Sequence, residues 1–97
     1  MKVIPEPIEF DWDEGNTRKN EKHGVGDKEA EESFFDDEKA TFKDIVHSHG
    51  EERFRIIGKT NSGRILFIAF TIRSNKVRII SARNINKKEI SLYEKTA

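Results

Sequence analysis

Ninety-seven residues suffice for one domain with a single modest core and exclude two. With 34% hydrophobic and 37% charged residues the core has to be economical and the surface strongly ionised, yet seven Phe, one Trp and Ile-rich runs exclude a disordered chain. The absence of Cys excludes disulfide staples, thiolate metal sites and a Cys nucleophile. The segment Met1 to Phe10, with Pro5, Glu6, Pro7 and Glu9, reads neither as a signal peptide nor as a transit peptide. No apolar stretch approaches membrane-spanning length, so the cytoplasm is the default expectation.

The formal net charge of zero conceals a division. Residues 1–52 hold seven Lys and Arg against sixteen Asp and Glu, whereas residues 53–97 hold eleven against two. Asymmetry of this kind points to a polyanionic partner for the basic half. The alternative is that the halves neutralise one another across the fold, through surface pairs worth on the order of 0–1 kcal/mol each.

In chain order, Ile8-Glu9-Phe10-Asp11-Trp12 alternates apolar and polar residues, the pattern of a short half-buried strand. Asp13 is then expected to N-cap a helix running to about His23, with Gly24 ending it in a left-handed conformation. That helix would lack any aliphatic residue, and Asn16, Asn20 and His23 would share a side. They must either hydrogen-bond to neighbouring backbone or line a ligand site. A second helix is expected from an Asp27 N-cap, burying Ala30, Phe34 and Phe35 behind an acidic face. Ala40 to His47 is a candidate strand and His47 to Glu51 a loop.

Arg53 to Lys59 alternates, Phe54 and Ile56 pointing one way and Arg53 and Arg55 the other. Thr60 to Gly63 is a turn of hairpin length leading into Arg64 to Arg73, an almost continuous apolar run suited to a central strand. Ser74 to Lys76 turns the chain into a strand over Val77 to Arg83, where Ser81 and Arg83 are expected on the side of Val77 and Ile79. Asn86 with Glu89 reads as a capping box opening a C-terminal helix that carries Ile90, Leu92 and Tyr93. The predicted class is α+β: a short strand, two helices, an antiparallel meander of about four strands and a final helix, in one domain over residues 1–97.

The meander sets Arg53, Arg55, Lys59, Arg64, Arg73, Arg78 and Arg83 on or beside adjacent strands. Arginines at strand ends bind phosphates bidentately from a stiff platform. Breaking RNA needs a base for the 2′-hydroxyl, cations for the charge growing on phosphorus and assistance to the leaving oxygen. Glu51 and Glu52 precede Arg53 directly, which allows a base and phosphate-binding cations to converge; Glu52 serves either as that base or as the residue orienting an arginine. His47 and His49 with Glu51 form a weak metal-ligand pattern. There is no phosphate-cradling Gly-rich motif and no nucleophile elbow.

Phe10-Asp11-Trp12-Asp13-Glu14-Gly15-Asn16, Asn20, Lys22-His23-Gly24-Val25, Glu29-Ala30 and Phe34 resemble the opening of BrnT-family toxins. The second half resembles the family through Gly50-Glu51-Glu52-Arg53, Ile57-Gly58-Lys59-Thr60, Gly63-Arg64, Phe70-Thr71-Ile72-Arg73, Arg78 to Arg83, Asn86-Lys87-Lys88-Glu89 and Tyr93. The resemblance spans nearly the whole chain. Only Glu21 separates Asn20 from Lys22, one residue fewer than in many relatives, so no role is carried over to Lys22 or His23.

The resemblance implies a RelE-like fold and a metal-independent endoribonuclease without a cofactor, the toxin of a type II toxin–antitoxin pair that arrests growth. It implies RNA as substrate and a BrnA-like antitoxin whose DNA-binding domain contacts the shared operator, with no membrane partner. It assigns catalysis to Glu52, Arg53, Arg64, Arg73 and Arg83, and substrate binding to Lys59, Arg78, Lys87, Lys88 and Tyr93. Arg83 and Arg73 are the first expectations for the scissile phosphate, and Arg64 a second ligand or an electrostatic aid to the leaving group. A non-catalytic nucleic-acid- or partner-binding module of the same fold is the alternative, and an unrelated small-molecule or metal-dependent enzyme a third.

Overall fold

The structure is a computed structural model that describes residues 3–48 and 50–96, with side chains through Glu94. Four strands form an antiparallel meander in the order β1-β2-β3-β4: β1 Ala40–Lys43, β2 Arg53–Lys59, β3 Ile65–Arg73 and β4 Lys76–Asn84. Two α-helices flank it, α1 Asp27–Glu32 and α2 Lys87–Thr96. The α+β class and the four-strand meander expected from the pattern are both present. No helix among the described residues is long and apolar enough to cross a membrane.

One face of the sheet carries the main core. Phe54 and Ile56 from β2, Leu66, Ile68 and Phe70 from β3, and Val77, Ile79 and Ala82 from β4 pack there with Val25, Ala30 and Phe34. Phe34 meets Phe10 and Phe70 edge to face at 5.4 and 5.2 Å. The short helical segment comes so close to β2 that a side chain at Gly58 would run into the Ser33 backbone, while Ser33 Oγ donates to the Gly58 carbonyl at 3.0 Å. Phe35, expected to be buried, is 62% exposed. The chain tightens into a 3₁₀ turn over Ser33–Phe35, which carries Phe34 inward and Phe35 out.

The N-terminal region departs from the expected strand and helix. Phe10 makes only an isolated parallel bridge to Val77, and the helix expected over 13–23 is reduced to a 3₁₀ turn at Lys19–His23. Without an aliphatic side chain to dock, this segment is held through amides. Asn16 Nδ2 donates to the carbonyls of Asp11 and Ile79, and Asn20 Oδ1 accepts from the Ala82 amide at 2.9 Å. Together with the Val77 N–H and C=O, which bond Glu9 and Asp11, the carboxamides stand where a fifth strand would pair with β4. Bonds to the backbone therefore account for Asn16 and for Asn20 Oδ1, while Asn20 Nδ2 is buried without a hydrogen-bond partner among the described residues. Asp27 does not cap α1, whose N-cap is Gly26; its carboxylate instead accepts from Thr17 Oγ1 and from the amide of Arg18, a residue at φ 58°. Gly24 ends the 3₁₀ turn at φ 72°, as expected.

β1 is shorter than the expected 40–47. After Lys43 the chain turns, leaving Ile45 and Val46 80% and 73% exposed. The capping box at α2 is present in both directions: Glu89 N bonds Asn86 Oδ1, and Asn86 N bonds Glu89 Oε1, each at 3.0 Å. Tyr93 anchors α2 on Ala40 and Ile57, covering part of the sheet's second face.

Candidate nucleic-acid interface

The open part of the second face is laid out by strand register, because residues paired across antiparallel strands project to the same side. Arg55, Ala69 and Ser81 form one row; Ile57, Phe67 and Arg83 lie to one side of it, and Arg53, Thr71 and Arg78 to the other. Arg83 reaches this face through a β-bulge. The register slips between Ala69 and Phe70, so Phe70 pairs with Ile79 while Ala69 pairs with Ser81. Ser81 and Arg83 thus face away from Val77 and Ile79, which corrects the shared side expected from simple alternation.

A cleft of about 180 Å³ lies at one end, lined by Gly15, Lys19, Glu51, Arg53, Arg73 and Arg78. Arg73 Nη2 contacts both oxygens of Glu51 at 3.0 and 3.1 Å. Arg78 bonds Asp13 at 2.8 Å and Asp11 at 3.4 Å. Hydrogen bonding from Arg78, then from the Gly15 amide, holds the Asp13 carboxyl below its ordinary range, and the same pair raises Arg78. Arg53 forms no ion pair among the described residues.

A second cleft of about 420 Å³ adjoins it, with Phe42, Asp44, His47, Arg55, Phe67 and Arg83 in its wall. The Arg83 and Arg55 guanidinium carbons lie 4.6 and 5.2 Å from the Phe67 ring centroid. Glu89 grips Arg83 from the first turn of α2, at 2.9 and 2.7 Å. That hydrogen-bonded pairing raises Arg83 and holds the Glu89 carboxyl down. Asp44, its side chain 9% exposed, accepts from Arg55 Nε at 2.9 Å and lies 3.0 Å from His47 Nδ1. Burial acts to raise the Asp44 carboxyl, but the bonds from His47 and Arg55 outweigh it and hold it low.

Of the residues expected to act together, Arg53, Arg73, Arg78 and Arg83 share this face. Arg64 does not: it precedes β3 at the far end and binds Glu29 at 2.6 Å, the Gly24 carbonyl and Asn84. Glu52 is paired with Lys43 at 2.9 Å, and Glu51 is the carboxylate that pairs with Arg73. Lys59, Lys87 and Lys88 are exposed, Lys59 where β2 meets Asp36 and the other two at the start of α2. Tyr93 is buried, its hydroxyl donating to Asp36 at 2.6 Å. Arg55, grouped with the meander arginines on the side of Arg53 but given no role from the sequence, and Asp44, which no sequence pattern marked, complete the larger cleft.

Salt bridges join the two halves of the chain, Arg55 to Asp44, Arg64 to Glu29, Arg73 to Glu51 and Arg78 to Asp11 and Asp13, so the charge segregation is partly answered by internal pairing. Among the described residues no group of three or more His, Asp or Glu is placed to hold a metal, and His49, named in the metal pattern, lies outside them. The family described as "Ribonuclease toxin, BrnT, of type II toxin-antitoxin system" matches residues 12–89. No curated protein matches the chain.

Proposed function

Since the chain belongs to the BrnT family of ribonuclease toxins of type II toxin–antitoxin systems, we propose that it is a metal-independent endoribonuclease of RelE-like fold that cleaves RNA on the basic sheet face. In this reading it acts in the cytoplasm, arrests growth and is neutralised by a BrnA-like antitoxin, which alone contacts operator DNA. The observation that carries the assignment is the register that gathers Arg53, Arg55, Arg73, Arg78 and Arg83 on one face.

Guanidinium groups on a stiff sheet suit the doubly charged phosphorane that forms as the 2′-oxygen attacks phosphorus. Their acidic partners hold them in place without a reorganisation step at the moment of reaction. Arg73 and Arg83 are assigned to phosphate binding, one in each cleft, and Arg53 adds a cation that is in no ion pair among the described residues. Arg64, Lys59 and Tyr93 are assigned to the framework, and Lys87 and Lys88 to electrostatic attraction of the RNA backbone.

Controlled bacterial expression of the wild type beside Arg73→Ala and Arg83→Ala, followed by growth and bulk RNA integrity, tests this assignment. The RNA assay is repeated on purified protein in EDTA. Growth arrest and RNA loss for the wild type alone, with cleavage surviving chelation, are expected. Intact RNA with folded wild-type protein overturns it.

A further inference from the structure

Arginine supplies charge but is a poor proton donor, and the oxygen leaving phosphorus needs a proton. In the larger cleft His47 is 55% exposed in its side chain, and its Nδ1 is engaged by Asp44 at 3.0 Å. A carboxylate on Nδ1 fixes the orientation of the ring and leaves Nε2 as the nitrogen available to a ligand. The same Asp44 oxygen that meets His47 also binds Arg55 Nε. Both Arg55 Nη groups therefore carry no hydrogen bond among the described residues and form a fork suited to a phosphate. One nearly buried carboxylate thus sets a proton carrier and a phosphate ligand side by side.

We infer that His47 is the proton donor to the leaving oxygen, that Arg55 binds the scissile phosphate beside it, and that Asp44 positions both. The inference rests on the ribonuclease reading and deepens it. In the step, the 2′-oxygen bonds to phosphorus as its proton passes to solvent, and the bond from phosphorus to the 5′-oxygen breaks. The Nε2 proton of His47 moves to that 5′-oxygen. The products are a 2′,3′-cyclic phosphate and a 5′-hydroxyl, and the imidazole is reprotonated from solvent. The charged groups facing His47 are Asp44 beside it, Lys43 from the end of β1, Arg55 from β2 and Arg83 from β4, with Lys43 partly answered by Glu52.

The test compares one oligoribonucleotide with the same strand bearing sulfur in place of the bridging 5′-oxygen at the linkage the wild type cleaves. A thiolate departs without a proton. His47→Gln is expected to lose about a hundredfold or more in rate on ordinary RNA and to come within about tenfold of wild type on the sulfur substrate. Asp44→Asn is expected to show a smaller version of the same split. Equal losses on both substrates, or full activity of His47→Gln on ordinary RNA, overturn the inference while leaving the ribonuclease reading intact. Failure of the wild type to cleave either substrate overturns that reading, and this one with it. Thermal melts of both variants establish that each is folded.

Discussion

Arg64 and Arg73 stand at the two ends of β3 and face opposite sides of the sheet, Arg64 toward Glu29 of α1 and Arg73 toward Glu51 on the open face. Nine residues of extended chain separate them by roughly 30 Å. One scissile phosphate cannot be shared between them.

Arg64→Ala is therefore expected to act on stability. It removes the Glu29 ion pair and the bonds to Gly24 and Asn84, at a cost of about 1–3 kcal/mol, and its melting temperature should fall while RNA cleavage per folded molecule stays at wild-type level. Arg73→Ala should do the reverse, losing about tenfold or more in cleavage with a melt close to wild type. Cleavage assays paired with calorimetry separate the two, and a selective loss of activity in Arg64→Ala would refute the division.

Tyr93 is the sole tyrosine of the chain, so its ionisation can be read directly by ultraviolet absorbance. Burial, and then the hydrogen bond to Asp36, push its hydroxyl up to about 12. A raised acid keeps its proton in the folded state while the unfolded chain gives it up, so stability holds below about pH 10 and declines as pH climbs from there toward 12. Tyr93→Phe should flatten that alkaline decline, and Asp36→Asn should bring the absorbance midpoint down toward the ordinary value. A wild-type midpoint near 10 would contradict the buried hydroxyl.

Glu89 closes the capping box and holds Arg83, and the bond from Arg83 keeps its carboxyl below the ordinary value. A depressed carboxyl contributes stability above its unfolded pKa, which is lost as pH falls through the folded one. Glu89→Gln should therefore destabilise the protein at neutral pH by about 0.5–2 kcal/mol, with the difference from wild type shrinking below about pH 4. Denaturant melts at several pH values measure this.

Two glycines separate folding from function. Gly58→Ala places a methyl against the Ser33 backbone, which cannot swing aside, and a loss of about 1–3 kcal/mol is expected from overpacking. Gly15→Ala meets the end of the Arg78 side chain at 2.7 Å, and that side chain can move. The second variant should fold nearly as well as wild type but bind single-stranded RNA more weakly, because Arg78 is driven out of its cleft. Fluorescence anisotropy with a labelled oligonucleotide distinguishes them.

The sheet was readable because period-two alternation and a turn of Thr60 to Gly63 leave few other arrangements for β2 and β3. The capping box at Asn86 was readable for the same local reason. What escaped was set by tertiary detail. The bulge opposite Ala69 reverses the side of Arg83, and no residue in that run announces it. The Asp13–His23 segment carries helix signals, but without apolar residues to bury, its helix gives way to amide bonds with β4. For the site, parity set Arg53 and Arg55 on one side of β2 but placed Arg83 on the wrong side of β4. It did not say which of the adjacent Glu51 and Glu52 turns inward, nor that Asp44, at the end of a short β1, bridges Arg55 and His47.

The dressing of β4 by Asn16, Asn20 and the Phe10 segment has a consequence for self-association. On that border the Val77 N–H and C=O, the Ile79 carbonyl and the Ala82 amide are already bonded, which favours strand addition at β1, where no strand pairs on the outer side among the described residues. Two copies meeting there back to back would exhaust the available edge and stop at a pair. Among the described residues β1 is the open edge, so a sheet-to-sheet pair can form there while the occupied β4 border resists the addition of a further strand.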